Sequence, residues 1–211
     1  MSEVSHPLFA RLFAACCPAL EREVGPWRKR LLAGLAGEVI ELGAGTGANF
    51  RHYPSAVKRV VAIEPEPYLR EAARRQAARA AVPIEVVGAR AEELPHGLGS
   101  FDHAVATLVF CSIADPAGAL SALAAMLKEG GELHFLEHVR GDGVKGAVQR
   151  LLDASRLWPT VAGGCHCSRD LLALLAGSPF VVEEVEAVSI GPAWLHVNPH
   201  LVGRARLEAS R

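Results

Sequence analysis

Between Glu38 and Val139 the apolar positions fall into two alternating patterns. EVIELGAG (38–45), RVVAIEP (59–65), PIEVVG (83–88), FDHAVATLVF (101–110) and ELHFLEHV (132–139) are short apolar runs, most of them rich in Val or Ile and several closed by Gly or Pro, and they predict strands. YLREAARRQAARA (68–80) is Ala-rich with no breaker and predicts a helix. PAGALSALAAMLKEGG (116–131) predicts a helix stopped by its two glycines, and Asn49 to Ser55 a short helix and a turn. Residues 7–34 read as one or two helices punctuated by Pro18 and Pro26. VKGAVQRLLDASRLW (144–158) and SRDLLALLAGS (168–178) read as helices, and FVVEEVEAVSI (180–190) and WLHVNPHLVGRARL (194–207) as two closing strands.

Strand and helix in alternation predict an α/β fold: a doubly wound, mostly parallel sheet of seven strands with helices on both faces. The last two strands follow each other without a helix, so they form an antiparallel hairpin at one edge. The chain reads as one domain, 1–211. Residues 1–36 supply N-terminal helices over a pocket, and 140–178 form a lid-like insertion between the fifth and sixth strands. Ligands in such sheets bind beyond the carboxyl ends of the strands. That nominates the loops after Leu42, Ile63, Val87, Leu108 and Leu136.

With 22 basic and 23 acidic residues in 211, the net charge of −1 gives no electrostatic footprint for nucleic acid. Arg70, Arg74, Arg75 and Arg79 have the spacing of a solvated helix face. The five cysteines are an odd number, no secretory signal is visible, and Arg11 interrupts the only apolar stretch at the start; reduced thiols in a cytoplasm are expected. No run reaches the roughly 20 apolar residues of a membrane span. An amphipathic first helix is compatible with contact at a membrane surface, although nothing indicates one, and nothing sets the oligomeric state.

The first nominated loop is Glu41-Leu42-Gly43-Ala44-Gly45-Thr46-Gly47-Ala48-Asn49-Phe50. Its glycines let the backbone approach a ligand. Glu64, closing the second strand, suits a ribose diol. The spacing is GxGxG rather than GxGxxG, and Glu41 beside it is a poor host for phosphate. An acid there favours a cationic ligand, and S-adenosylmethionine carries an ammonium and a sulfonium but no phosphate.

ELGAGTGANF, AIEP, LPHGLGSFDHAVATLVFCSI and LKEGGELHFLEHV together resemble class I S-adenosylmethionine-dependent methyltransferases. The resemblance implies a Rossmann-like sheet of order 3-2-1-4-5-7-6 with the last strand antiparallel. It implies that Glu41, Gly43 and Gly45 hold the methionine part, with Ala44, Gly47 and Asn49 completing the loop. Glu64 takes the ribose, Pro65 lies against the adenine side, Ala91 and Glu92 lie at the adenine edge, and Leu108 lies beside the methionine. Many relatives have an acid where this chain has Arg90, and Arg90 cannot accept a hydrogen bond. Either Glu92 or a backbone carbonyl then serves the adenine, or shape holds it.

TLVFCSI, FLEHV, a following Trp, GGCHCSRD and NPHLVGRA resemble, in that order, the subfamily that includes the mammalian membrane-associated alkyl thiol methyltransferases. This implies transfer to hydrogen sulfide or a small thiol, releasing S-adenosylhomocysteine. The animal members carry a hydrophobic anchor, and none is read here. The competing expectation is an O-, N- or C-methyltransferase acting on a lipid headgroup or secondary metabolite, with a larger pocket lined by Trp158, Trp194 and Phe110. A cofactor-binding protein without turnover is a third. His138 is placed to be a base, Glu137 to orient it or meet the acceptor, His200 to reach in from the hairpin, and Trp158 and His166 from the insertion. Each of these also has a structural alternative, such as closing a buried hydrogen-bond network.

GGCHCSRD itself reads as local structure without a metal. A zinc site needs about four ligands, and Cys165, His166 and Cys167 are too close to share one ion; others would have to come from Cys111, His138 or His200. Cys111 reads as a small buried hydrophobe. Gly163 and Gly164 allow a turn, Ser168 is expected to cap the following helix, and Cys165 or His166 to face the acceptor, with Cys165 favoured over Cys167.

Overall fold

A computed structural model describes residues 7–192 and 194–208; expectations placed on 1–6 and 209–211 lie outside the described residues. The elements, in chain order, are α1 (Pro7–Leu32), β1 (Gly37–Leu42), β2 (Val57–Ile63), α2 (Pro67–Ala77), β3 (Ile84–Val87), β4 (Phe101–Thr107), α3 (Pro116–Met126), β5 (Leu127–His138), α4 (Gly143–Ala154), α5 (Leu157–Val161), α6 (Leu171–Ala176), β6 (Phe180–Val188) and β7 (His200–Leu207). The sheet order is β3-β2-β1-β4-β5-β7-β6. β7 runs antiparallel to both β5 and β6, and the other pairings are parallel.

Alternation along β1 splits the core into two layers. Ile40 and Leu42 join Val61, Ile63, Leu120 and Phe135 on one face of the sheet. Val39 joins Val60, Val105 and Leu32 of α1 on the other. Register then aligns the carboxyl ends: Leu42 pairs with Ile63 and with Ala106, Thr107 with Leu136, and His138 with His200. Gly43, Glu64, Leu108 and His138 therefore meet at one rim.

Several boundaries differ from the sequence expectation. α1 is one helix with Pro18 and Pro26 inside it. The segment after Asn49 is a single 3-10 turn, Phe50–His52. α3 ends at Met126, and Gly130–Gly131 lie inside β5 instead of stopping the helix. The ladder passes from Phe101–Leu127 to His103–Glu132, so the glycines serve a bulge, where Gly130 takes a φ of 70°. The helix expected over 144–158 breaks at Arg156, whose φ is 58°. The strand expected from 194 starts only at His200. Ser168 does not cap α6: its hydroxyl donates to Asp153 Oδ2 at 2.6 Å, and Asp170 is the cap, accepting from the Ala173 amide at 3.0 Å. No helix among the described residues is long and apolar enough to cross a membrane, and all five cysteines are free.

Candidate active site

The rim carries a cavity of about 400 Å³, within the usual range of small-ligand sites. Gly43 and Gly45 form its floor at φ values of 61° and 58°, in the left-handed region. At Gly43 a Cβ would stand 2.2 Å from Val109 Cγ2, so the position admits only glycine. Glu64 faces the cavity from the end of β2. Its Oε2 accepts from the Gly45 amide at 2.7 Å and its Oε1 from the Glu66 amide at 2.9 Å. Burial pushes this carboxyl up to about 7 despite those two amides. Pro65, Arg90, Ala91 and Glu92 continue the wall. Arg90 Nη2 donates to Glu92 Oε1 at 2.9 Å, so the two side chains form one pair in that wall.

The opposite wall begins at Leu108, a non-glycine residue at a φ of 56°. The kink ends β4 and turns Val109, Ser112 and Ile113 along the cavity. Phe9 and Phe13, four apart on one face of α1, close it from above, and Gly163, Gly164 and His166 close it from the insertion. The two phenylalanines were not singled out from the sequence; their i, i+4 spacing was the available signal.

Other expected cofactor residues underlie the loop instead of lining the cavity. Glu41 is buried, with Tyr53 donating to Oε2 at 2.6 Å and Asn49 Nδ2 to Oε1 at 3.0 Å. Asn49 Oδ1 in turn accepts from Arg28 Nη1 at 2.8 Å. Burial raises the Glu41 carboxyl to about 7. Ala44 is buried in the α1-side core, and Gly47 packs on Phe50, whose ring carbons would lie 2.7 Å from an added Cβ. These residues brace the loop; Gly43, Gly45 and Glu64 line the cavity.

Glu137, His138, Cys165 and His200 come together, buried, but do not line the cavity. Glu137 Oε1 accepts from the Val109 and Phe110 amides at 2.8 and 3.1 Å, pinning the loop after β4. Burial pushes its carboxyl up to about 7. His138 Nε2 lies 3.2 Å from Cys165 Sγ, and Trp158 Nε1 donates to the same sulfur at 3.4 Å. A hydrogen bond with Cys111 and burial push the Cys165 thiol far above its ordinary range. The His138 and His200 rings are 6.3 Å apart at 88°, and burial lowers His200 to about 4. The insertion is tied down by the His166 amide donating to Cys111 O at 2.8 Å and by Arg169 Nη1 donating to Ile113 O at 2.8 Å and to Phe110 O. Cys167 turns away to Asp153 and Gln149. Phe110 is buried in the core, Trp194 is exposed and Trp158 packs on His196, so the three share no pocket.

This sheet order, glycine floor and acid at the end of β2 are those of a class I S-adenosylmethionine-dependent methyltransferase. Residues 40–135 match the methyltransferase domain family Methyltransf_11. Thiol S-methyltransferase TMT1B of Homo sapiens is 31% identical over 208 residues, covering 93% of this chain and 85% of its own length. The TMT1B of Rattus norvegicus is 33% identical over 183 residues, covering 82% and 73%. Among solved structures, the N-methyltransferase NodS from Bradyrhizobium japonicum WM9, in complex with S-adenosylhomocysteine, superposes with a TM-score of 0.67 at 19% identity, covering 89% of this chain and 87% of that one. A possible histamine N-methyltransferase from Thermotoga maritima gives 0.66 at 23%, covering 95% and 98%. The chain belongs to the methyltransferase family that includes the thiol S-methyltransferases TMT1A and TMT1B, and S-adenosylmethionine is its methyl donor.

Proposed function

We propose that the chain methylates a small thiol or hydrogen sulfide. The observation that carries this reading is the similarity to thiol S-methyltransferases over 93% of the chain, well beyond the methyltransferase domain matched at residues 40–135. S-adenosylmethionine supplies an electrophilic methyl on a sulfonium. Gly43, Gly45 and Leu108 hold its methionine end, Glu64 the ribose hydroxyls, and Ala91 with the Arg90–Glu92 pair the adenine edge. Residues 7–36 roof the site through Phe9 and Phe13, and 140–178 act as its lid through Gly163, Gly164 and His166.

A thiol becomes a strong nucleophile once it loses its proton. The chain's task on the acceptor side is to favour that anion and aim it at the methyl. His138 and Cys165 stand immediately behind the wall formed by Val109, Ser112 and Gly164, and are the acceptor-side residues. Glu137 and His200 hold them in place. The Trp158–Trp194–Phe110 pocket of the lipid or metabolite alternative does not form.

The test is S-adenosylhomocysteine release by purified protein given sulfide, a small alkyl thiol, an amine or a phenol. Turnover on the sulfur compounds alone is expected. Turnover on the amine or phenol with silence on sulfur would replace this reading.

A further inference from the structure

Six buried side-chain polar atoms among the described residues lack a hydrogen-bond partner, and four of them come from the end of β5 and the stretch leading into β7: Glu137 Oε2, His138 Nδ1, His196 Nε2 and His200 Nδ1. Folded proteins seldom leave such atoms unpaired, and a concentration of them marks a site for something else. Beside His138, the ligand-capable atoms of Cys111, His138 and Cys165 all lie within 4.8 Å of one another, and all three residues are buried. They arrive from three separate places: the turn after β4, the last residue of β5, and the insertion. The turn and the insertion are locked together by the His166 amide on Cys111 O.

Tetrahedral zinc, with bonds of about 2.3 Å to sulfur and about 2.0 Å to nitrogen, sets its ligand atoms roughly 3.5–4 Å apart. The existing cluster needs little movement to reach that spacing. Two cysteines and one histidine are a ligand set that catalytic zinc sites use with the fourth position open. Val109 and Ser112 on one side, and Gly164 and His166 on the other, bracket the two cysteines and line the cavity. The cluster therefore lies behind that stretch of the cavity wall, next to the space an acceptor would enter.

We propose that Cys111, His138 and Cys165 bind one zinc ion and that its fourth position takes the sulfur of the methyl acceptor. The proposal rests on the thiol reading above. It reassigns His138 from base to metal ligand, and it draws the metal from the residues around GGCHCSRD, not from the CHC triplet itself. Loading the site releases the protons of the two cysteine thiols to solvent. The acceptor thiol loses its proton to solvent on binding zinc. The sulfur lone pair then forms the new bond to the methyl carbon. The bond from that carbon to the sulfonium breaks with its electron pair going to the departing sulfur, giving S-adenosylhomocysteine. The neutral thioether product is a poor zinc ligand and leaves. No atom changes its oxidation state through an outside reagent.

A second group, His103, Glu132 and His134, also gathers possible ligand atoms. There Arg204 Nη1 donates to Glu132 Oε1 at 2.9 Å, and a fixed guanidinium opposes a cation, so His134→Ala serves as the control.

The experiment measures zinc by inductively coupled plasma mass spectrometry on the full chain, purified without a chelating tag. One zinc per chain is expected in the wild type and in His134→Ala, with at least a tenfold loss in Cys111→Ser and Cys165→Ser. S-adenosylhomocysteine binding by calorimetry checks that each variant is folded. Cobalt titrated into metal-free wild type should give visible bands of tetrahedral thiolate coordination, and a small thiol should shift them. A metal-free wild type that also gives no such bands overturns the site, as does zinc retained in Cys165→Ser. Bands that ignore added thiol overturn the fourth-position assignment. Zinc and shifting bands without turnover of any thiol bear out the site and count against the thiol reading instead.

Discussion

Replacing Glu64 with Gln should make the cofactor-free protein more stable at pH 8 and bind its cofactor more weakly. Glu64 is 5% exposed, and burial lifts its carboxyl from 4.5 to about 7. A folded-state value raised above the unfolded one means that stability is fully present below about 4.5 and is lost as pH rises through about 7. At about 1.4 kcal/mol per pH unit, the ionised carboxylate costs the fold about 3 kcal/mol at pH 8. Gln removes that cost but accepts from only one of the Gly45 and Glu66 amides, which returns about 1 kcal/mol. The net gain is about 2 kcal/mol at pH 8 and falls towards zero at pH 5, where the wild type is already protonated. Urea unfolding of cofactor-free protein at the two pH values reads this directly. In the proposed pose Gln still accepts from one ribose hydroxyl but loses the second, charge-assisted bond, about 1.5–3 kcal/mol, so calorimetry should show affinity at least tenfold weaker. A variant less stable than wild type at pH 8, or a stability difference that ignores pH, would refute the reasoning.

Gly43→Ala forces a Cβ to within 2.2 Å of Val109 at a φ of 61°; we expect a loss of about 2–4 kcal/mol in urea unfolding and weakened cofactor binding. His138→Ala should cut thiol-dependent S-adenosylhomocysteine release by about 100-fold while the calorimetric affinity for S-adenosylhomocysteine stays within about threefold. Asp170→Ala, which removes the α6 cap, should cost about 1 kcal/mol in urea unfolding, more than the same change at Asp142, which makes no side-chain cap bond.

The apolar runs made the sheet legible because most are short and β-branched, and the glycine loop and Glu64 made the cavity floor legible because both stand at the carboxyl ends of strands. What the sequence hid was competition between equivalent signals. Ser168 and Asp170 both suit a helix cap, and only the approach of Asp153 decides that Ser168 is taken elsewhere. Gly130–Gly131 look like a helix stop, yet the pairing of Leu127 with Phe101 has already returned the chain to the sheet. Glu41 reads as a ligand-facing acid, and the sequence does not show that Tyr53 and Asn49, 12 and 8 residues away, each donate to one of its oxygens. The Cys111–His138–Cys165 group joins residues 27 apart at each step, a distance at which no spacing rule operates.

Three carboxyls at the carboxyl ends of β1, β2 and β5 carry the same burden for different purposes. Burial raises Glu41, Glu64 and Glu137 each to about 7, so the empty protein is expected to lose stability between pH 5 and pH 8 at all three. Glu41 spends its acceptors on Tyr53 and Asn49, and Glu137 spends one oxygen on the amides of Val109 and Phe110. Both brace loops beneath the cavity and lie outside its lining. Only Glu64 lines the cavity. Ribose hydroxyls can replace the Gly45 and Glu66 amides there, and the cationic cofactor favours the ionised form. Cofactor should therefore restore at Glu64 what neutral pH removes, and leave the strain at Glu41 and Glu137 in place. The stabilisation by S-adenosylmethionine should accordingly be larger at pH 8 than at pH 5 in the wild type. That pH dependence should vanish in Glu64→Gln and persist in Glu41→Gln, which separates the acid that meets the ligand from the acid that only supports the loop.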